Sequence, residues 1–369
     1  MGWWNEQSPR GLRGDGQGRV NGLKTKSLRG RDFITVLEFS KEELDTILRL
    51  AEQLKLEKAA GKRHPLLVEK TLFLLFYNRS LRTRNSFECG MTQLGGHANY
   101  LDSEKVYTPA VAGEEVAFVT ERVADVARVL SSMGDGIAIR IFGDPVGWYY
   151  GRGNEYLREF ARWATVPVIN MEDDMYHPCQ AMADMLTLRE KWGDVAGRKI
   201  VVSWAYSPSM KKPVSVPHSM MAIASYFGMH IVFARPKGFE LDPAIIEKVK
   251  ANVAKHGGSF EETDSMEEAF RDADAVYPKC WPSLEYLPPR VPKPDFESMK
   301  KLFDANRHWI CDERMMKLAK PDCLYMHCLP CDRGFEVTDA VIDGPNSVVF
   351  DQAENRMHAQ KAIMALTMR

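Results

Sequence analysis

Little in this chain is long, lopsided or repeated. No apolar run approaches the roughly 20 residues a helix needs to cross a bilayer; the longest, such as Thr71 to Tyr77, are strand-sized. An excess of one charge is also missing. The 49 Lys and Arg stand against 50 Asp and Glu, for a net charge of -1, so no overall field recruits nucleic acid or an anionic membrane. A charged ligand must therefore be gripped locally. Seven cysteines in 369 residues, odd in number and without the spacing of a small disulfide scaffold, point to a reducing, cytoplasmic setting. No Walker loop and no strand-linked G-x-G-x-x-G is present, since Gly151-Arg152-Gly153 has no third glycine in register; nucleotide binding is unsupported. No internal repeat of solenoid period is visible.

What is present is an alternation of short apolar runs and amphipathic segments from about residue 33 to the end, the pattern of parallel βαβ units. A chain longer than about 250–300 residues exceeds one core, so the expectation is an α/β fold of two doubly wound parallel-sheet domains. Candidate strands in the first half are 71–77, 97–102, 136–142 and 166–171, with helices after Ser40, from near Ser80, and at 114–133 and 153–164. Ser40 and Glu43 form a capping box, as do Ser265 and Glu268. A helix at 177–192, which Gly193 can terminate, carries the chain into the second half. There the strands fall at 199–205, 230–235, 259–262, 274–280 and 323–328, and the helices at 217–227, 243–256, 265–271 and 312–319. The last segment, Ala353 to Met368, has helical periodicity and must pack back on an earlier element. Residues 1–30, rich in Gly and Arg, are expected to be a disordered leader. The stretch 207–217, with three prolines, and the proline-rich stretch 282–294 read on composition as surface loops.

Chemistry concentrates at strand ends. Ser80-Leu81-Arg82-Thr83-Arg84 places two hydroxyls and two guanidiniums at a strand-to-helix turn, where free N–H groups and the positive end of the helix dipole also point. Such a turn holds a phosphate without glycines, and the guanidinium fork suits its oxygens. Arg140 closes the apolar strand Gly136-Ile137-Ala138-Ile139-Arg140, at the edge where open α/β sheets take ligands. His177-Pro178-Cys179-Gln180 opens a helix, so imidazole and amide can face one pocket. His327-Cys328-Leu329-Pro330 follows another strand. Cys323, Cys328 and Cys331 raise a zinc alternative, but a second spaced pair is lacking.

Taken together, Ser-x-Arg-Thr-Arg, the strand-end Arg140, His-Pro-x-Gln, His-Cys-Leu-Pro and Ala353-Glu354-Asn355-Arg356 resemble the aspartate/ornithine carbamoyltransferase superfamily, in order and spacing, from about residue 33 onward. The loop 207–217 and Tyr277-Pro278-Lys279-Cys280-Trp281 look like its branch with a knotted second domain, which includes N-acetylornithine and N-succinylornithine carbamoyltransferases. That resemblance implies a carbamoyl-phosphate-binding domain over 31–176, completed by a C-terminal helix at 353–369, and an acceptor-binding domain over 177–352. It implies that Ser80, Leu81, Arg82 and Thr83 hold the phosphate, and that Arg140, His177 and Thr83 point at the carbamoyl oxygen. Gln180, the Cys328 and Leu329 carbonyls and Arg356 would position the carbamoyl amino group and the leaving phosphate. Arg82, Thr83, Arg140 and His177 are thereby the catalytic set, and Glu172, Lys279 and Leu329 the acceptor contacts, with no metal and no organic cofactor. The branch usually has two arginines where Asp332-Arg333 stands and a lysine where Glu336 stands. The segment Tyr107 to Glu121 is similar to the loop that reaches a neighbouring subunit, which implies a homotrimer. The partners expected are carbamoyl phosphate and a small amino-acid amine, with N-acetylornithine first, in arginine biosynthesis; nucleic acid and membrane are not among them. Two rivals stay open: a catabolic carbamoyl transfer to a different diamine or ureido acid, and a binding protein that keeps the phosphate cradle without turnover.

Overall fold

The structure, a computed structural model, describes residues 17–20, 23–102 and 105–368. Of the expected leader, residues 1–16 and 21–22 lie outside the described residues. The rest departs from it: β1 (Gln17–Val20) and β2 (Leu23–Lys26) pair antiparallel, and the Gly30 N–H donates to the Thr367 carbonyl at 2.8 Å.

The first unit then runs α1 (Lys41–Ala59), β3 (Thr71–Phe76), α2 (Leu81–Gln93), β4 (His97–Asp102), β5 (Thr108–Ala110), β6 (Thr120–Arg122), α3 (Val123–Met133), β7 (Gly136–Ile141), α4 (Arg152–Trp163) and β8 (Val168–Asp173). Helix α5 (Pro178–Trp192) leads to the second: β9 (Lys199–Trp204), α6 (Ser215–Ser225), β10 (His230–Ala234), α7 (Pro243–His256), β11 (Ser259–Thr263), α8 (Met266–Phe270), β12 (Ala275–Lys279), α9 (Phe296–Ala305), α10 (Glu313–Met316), β13 (Leu324–Tyr325) and α11 (Asp339–Ile342). Helix α12 (Val349–Thr367) closes the chain.

The main strands form two all-parallel sheets, ordered β4-β3-β7-β8 and β11-β10-β9-β12-β13. In each, the chain begins on an inner strand, runs outward, then crosses to the other flank. The order therefore reverses between β3 and β7, and between β9 and β12, which opens a crevice at the carboxyl ends of those strands. Strand β3 shows why its run is apolar throughout: Leu72, Leu74 and Phe76 enter one core while Phe73 and Leu75 enter another, as a strand covered on both faces requires.

Those two cores do not correspond to one per unit, as chain length suggested. The larger is continuous through both sheets, and the smaller covers only the far face of the first. The bridge is α5, whose residues Pro178 to Leu188 are buried without a break, and α12, which packs on α5, α1 and α2.

Several expected elements differ. The helix expected at 114–133 begins at Val123, behind strand β6, because the apolar side chains Val116, Phe118 and Val119 ahead of it are exposed and form no buried stripe. The strand expected at 323–328 shrinks to Leu324–Tyr325; beyond it the chain turns, and the Leu329 N–H donates to His327 Nδ1 at 2.9 Å. The helix expected at 312–319 keeps four residues, and α12 starts at Val349, ahead of Ala353. Helix α9, capped by Asp295, was not expected. The capping box at Ser40–Glu43 is complete, whereas Ser265 accepts from Glu268 N while the Glu268 carboxylate accepts from the Thr263 hydroxyl.

Candidate active site

The turn expected to hold phosphate is built by an N-cap. Ser80, in extended backbone, accepts the Thr83 N–H on its hydroxyl at 3.2 Å and opens α2. Asn78 fixes the turn beside β7: its Nδ2 donates to the Phe142 carbonyl at 3.0 Å and its Oδ1 accepts the Phe142 N–H at 2.8 Å. Arg140 leaves β7 at a register shift between Ile139 and Arg140 that sets it opposite Glu172 of β8, the re-aiming that a bulge allows.

Glu172 is almost fully buried and has three neighbours. Arg140 Nη1 donates to Oε2, Ser215 Oγ donates to Oε1 at 2.8 Å, and His177 Nε2 stands 3.6 Å from Oε2. Burial alone raises a carboxyl, but Arg140 and His177 overcome it and hold Glu172 at about 2. His177 caps α5 ahead of Pro178, and its N–H donates to Ser219 Oγ at 2.7 Å. Burial drives its imidazole well below the usual range, against the pull of Glu172, so the ring is neutral near pH 7.

One turn further along α5, Gln180 Nε2 donates to Asp184 Oδ1 at 2.7 Å. Gln352 Nε2 of α12 donates to the same oxygen at 2.8 Å, and its Oε1 accepts the His327 N–H at 3.0 Å. Burial pushes Asp184 up to about 7. From α12 as well, Arg356 Nη2 donates to Thr83 Oγ1 at 2.6 Å. Burial, with Arg140 next in weight, brings Arg356 down to about 10, and burial likewise lowers Arg82.

These elements surround one cleft of about 440 Å³. Every residue expected at the site lines it: Ser80, Leu81, Arg82, Thr83, Arg140, Glu172, His177, Gln180, Lys279, Cys328, Leu329 and Arg356. The Leu81 side chain is exposed, so its use to a ligand is through the backbone. Arg82 Nε, Arg140 Nε, His177 Nδ1, Gln180 Oε1 and Arg356 Nε are buried without a hydrogen-bond partner. Five orphaned polar atoms around one cleft are costly, and they match an anionic ligand carrying both donors and acceptors. The cleft's lining carries seven Arg and Lys side chains against one carboxylate, Glu172.

Several of the lining residues escaped the sequence reading or were read otherwise. Arg79 lies just ahead of the cradle. Lys211, Lys212 and Pro213 belong to a stretch expected as a surface loop, yet they line the cleft. Lys212 Nζ donates to Asp332 Oδ2 at 2.7 Å and to Glu336 Oε2 at 2.8 Å. Glu336 is fully buried; it also accepts the Cys280 N–H at 2.8 Å and the Asp332 N–H at 2.7 Å, with Lys279 Nζ at 3.8 Å and His327 Nε2 at 3.5 Å. Burial would raise this carboxyl, but Lys279, His327 and Lys212 hold it well below its usual range. The three prolines of the loop were visible in the sequence; its fold onto the site was not. As for zinc, Cys323 is fully buried, and among the described residues no three His, Cys, Asp or Glu side chains form a metal cluster.

Residues 31–190 match the carbamoyl-P binding domain, and residues 212–367 the Asp/Orn binding domain, of aspartate/ornithine carbamoyltransferase. The chain is 42% identical over 342 residues to an ornithine carbamoyltransferase of Thermococcus kodakarensis, covering 93% of this chain and 98% of that one. It is 38% identical over 343 residues to an N-acetylornithine carbamoyltransferase of Xanthomonas campestris pv. campestris, covering 91% and 97%. Among solved structures, an acetylornithine transcarbamylase complexed with acetylcitrulline matches with a TM-score of 0.85 at 37% identity, over 92% of this chain and 99% of that one.

Proposed function

Because the chain belongs to the aspartate/ornithine carbamoyltransferase family and is a carbamoyltransferase, we propose that it carbamoylates the side-chain amine of ornithine or an N-acylated ornithine, with N-acetylornithine preferred. The reaction gives a citrulline-type product and phosphate, in arginine biosynthesis. The carrying observation is the cleft's charge: seven cations and a single carboxylate that already pairs with Arg140. A dianionic phosphoryl donor and an acceptor carboxylate both suit that lining. A free α-ammonium does not, because Asp332 and Glu336 nearby are held by Lys212. Acylation of the α-nitrogen removes that unmatched charge. A second reading, unmodified ornithine, rests on the relatives that are ornithine carbamoyltransferases.

In this mechanism Ser80, the Leu81 backbone, Arg82 and Thr83 grip the phosphate, with Arg356 on the leaving group. A neutral amine attacks the carbamoyl carbon; the new C–N bond forms, negative charge builds on the carbonyl oxygen, the C–O bond to phosphate breaks, and the departing phosphate takes the proton that the amine nitrogen sheds. Thr83, Arg140 and neutral His177 donate to that oxygen, and such preorganised donors each contribute about 10²–10³ in rate. Gln180 Oε1 and the Cys328 and Leu329 carbonyls accept from the carbamoyl amino group. Cys328 acts through its backbone, since burial raises its thiol. Glu172 holds Arg140 and His177 in place, and Lys279 faces the acceptor. Holding the amine at about 3 Å supplies the rest through orientation.

Seven free thiols support a reducing cytoplasm, and no helix among the described residues is long and apolar enough to cross a membrane. Tyr107, Val116, Phe118 and Val119 stand exposed on the segment expected to reach a neighbour, which supports a homotrimer checked by sedimentation. The deciding experiment is product mass spectrometry with carbamoyl phosphate and a panel of ornithine, N-acetylornithine, N-succinylornithine, putrescine, aspartate and 2,3-diaminopropionate. Carbamoylated N-acetylornithine as the main product supports the proposal. Turnover of no ornithine derivative would overturn it in favour of the catabolic, different-amine reading.

A further inference from the structure

We propose that Lys212 is the specificity-determining residue of the acceptor side, a cation that the proline-stiffened loop after β9 delivers to grip the acceptor's carboxylate. The inference rests on the carboxylate-bearing acceptor proposed above and adds the residue that reads it.

An ammonium has three N–H donors. Two of those on Lys212 go to Glu336 and Asp332, and one remains on a side chain that lines the cleft. Lys279, the other lysine there, has its ammonium 3.1 Å from the Cys280 carbonyl and 3.8 Å from Glu336. A single fully buried carboxylate is thus shared by two ammonium groups. The remaining counter-charge, Asp332, is partly exposed, so it offsets the Lys212 charge less than a buried carboxylate would.

The loop is built to hold this lysine still. Pro213 directly follows Lys212 and restricts its backbone to extended conformations. The Tyr206 N–H donates to the Trp309 carbonyl at 2.8 Å, the Ser209 N–H donates to Ser207 Oγ at 3.0 Å, and Ser207 Oγ donates to Asp332. A cation fixed beforehand loses little freedom on binding. Glu336 ties the loop, the end of β12 and the turn after His327 to one point, through Lys212, the Cys280 N–H and the Asp332 N–H.

The test compares acceptor pairs that differ only in the carboxylate: N-acetylornithine with N-acetyl-1,4-diaminobutane, and ornithine with 1,4-diaminobutane. Should another amino acid prove to be the acceptor, it and its decarboxylated counterpart serve identically, so failure of the ornithine reading is seen separately. The parent enzyme should favour the carboxylated member in kcat/KM. In Lys212→Met that preference should fall roughly tenfold to a hundredfold, the worth of a charge-assisted hydrogen bond. The KM for carbamoyl phosphate and the turnover of the decarboxylated acceptor should stay within about twofold. Lys212→Arg should recover part of the preference. Removing Lys212 leaves Glu336 short of a partner, so the double variant Lys212→Met/Glu336→Gln is measured too; the loss should persist there. An equal fall for both acceptors, a raised KM for carbamoyl phosphate, recovery in the double variant, or no carboxylate preference in the parent would each overturn the proposal.

Discussion

Replacing Glu172 by Gln keeps its volume and its acceptor for Ser215 but removes the charge between Arg140 and His177. Holding a buried carboxyl at about 2 against its ordinary 4.5, at about 1.4 kcal/mol per tenfold, corresponds to about 3 kcal/mol of favourable interaction. Breaking one partner out of a buried pair costs about 3–5 kcal/mol, because Arg140 is left as an uncompensated buried cation. The expected result is a fall of about 3 kcal/mol in unfolding free energy, read by urea titration with tryptophan fluorescence and a second probe. The pH sign follows from the lowered folded value: the contribution is complete above pH 4.5 and is lost as pH falls toward about 2. The gap between parent and variant should therefore be constant from pH 6 to 9 and close in acid. Saturating carbamoyl phosphate offers Arg140 a new anion and should narrow the gap. A loss below 1 kcal/mol at pH 7, or a gap that widens in acid, would refute the pairing and the reasoning built on it.

Arg82→Ala should weaken carbamoyl phosphate binding roughly tenfold to a hundredfold by calorimetry, as loss of a charge-assisted contact predicts. His177→Asn should lower kcat by about 10²–10³ with a smaller change in carbamoyl phosphate affinity, and equal losses in both would assign it to ground-state binding. Because burial keeps His177 neutral well below its ordinary 6.5, the rise in single-turnover rate from pH 6 to 9 should follow the acceptor amine losing its proton. A flat profile over that range contradicts the neutral-amine mechanism.

The legible parts of the fold were those where local chemistry and burial agree. The strand starting at Thr71 and the helices opening after Ser40 and at Pro178 lie within a residue or two of their expected limits, because caps, prolines and unbroken apolar runs mark them. Residues 114–122 misled because an apolar face read as helical is instead exposed, with Phe118 94% accessible. The site shows the same division. Arg82, Arg140, His177 and Gln180 sit at strand and helix ends, where their residue types already imply ligand chemistry. Lys212 and Glu336 are 124 residues apart, and Glu336 as a lone acidic residue after a loop carries no local sign of burial. Its meaning appears only when the loop after β9 folds back over the end of β12.

That long-range closure also explains why the last helix belongs to the site. Gln180 and Leu329 both line the cleft. Between them runs one buried chain: Gln180 to Asp184, Asp184 to Gln352, and Gln352 to the His327 N–H. Asp184 is an acceptor for two amides rather than a member of an ion pair, so burial raises it to about 7. Its ionised form is therefore the one that folding disfavours, and its contribution to stability falls as pH rises from about 4 through 7, opposite in sign to that of Glu172. The protein keeps it all the same, because an oxygen there registers α12 against α5. With that register set, Arg356 reaches Thr83, 273 residues away in the chain, and both line the cleft. The geometry of the cleft thus depends on packing between α5 and α12 as much as on the residues that line it.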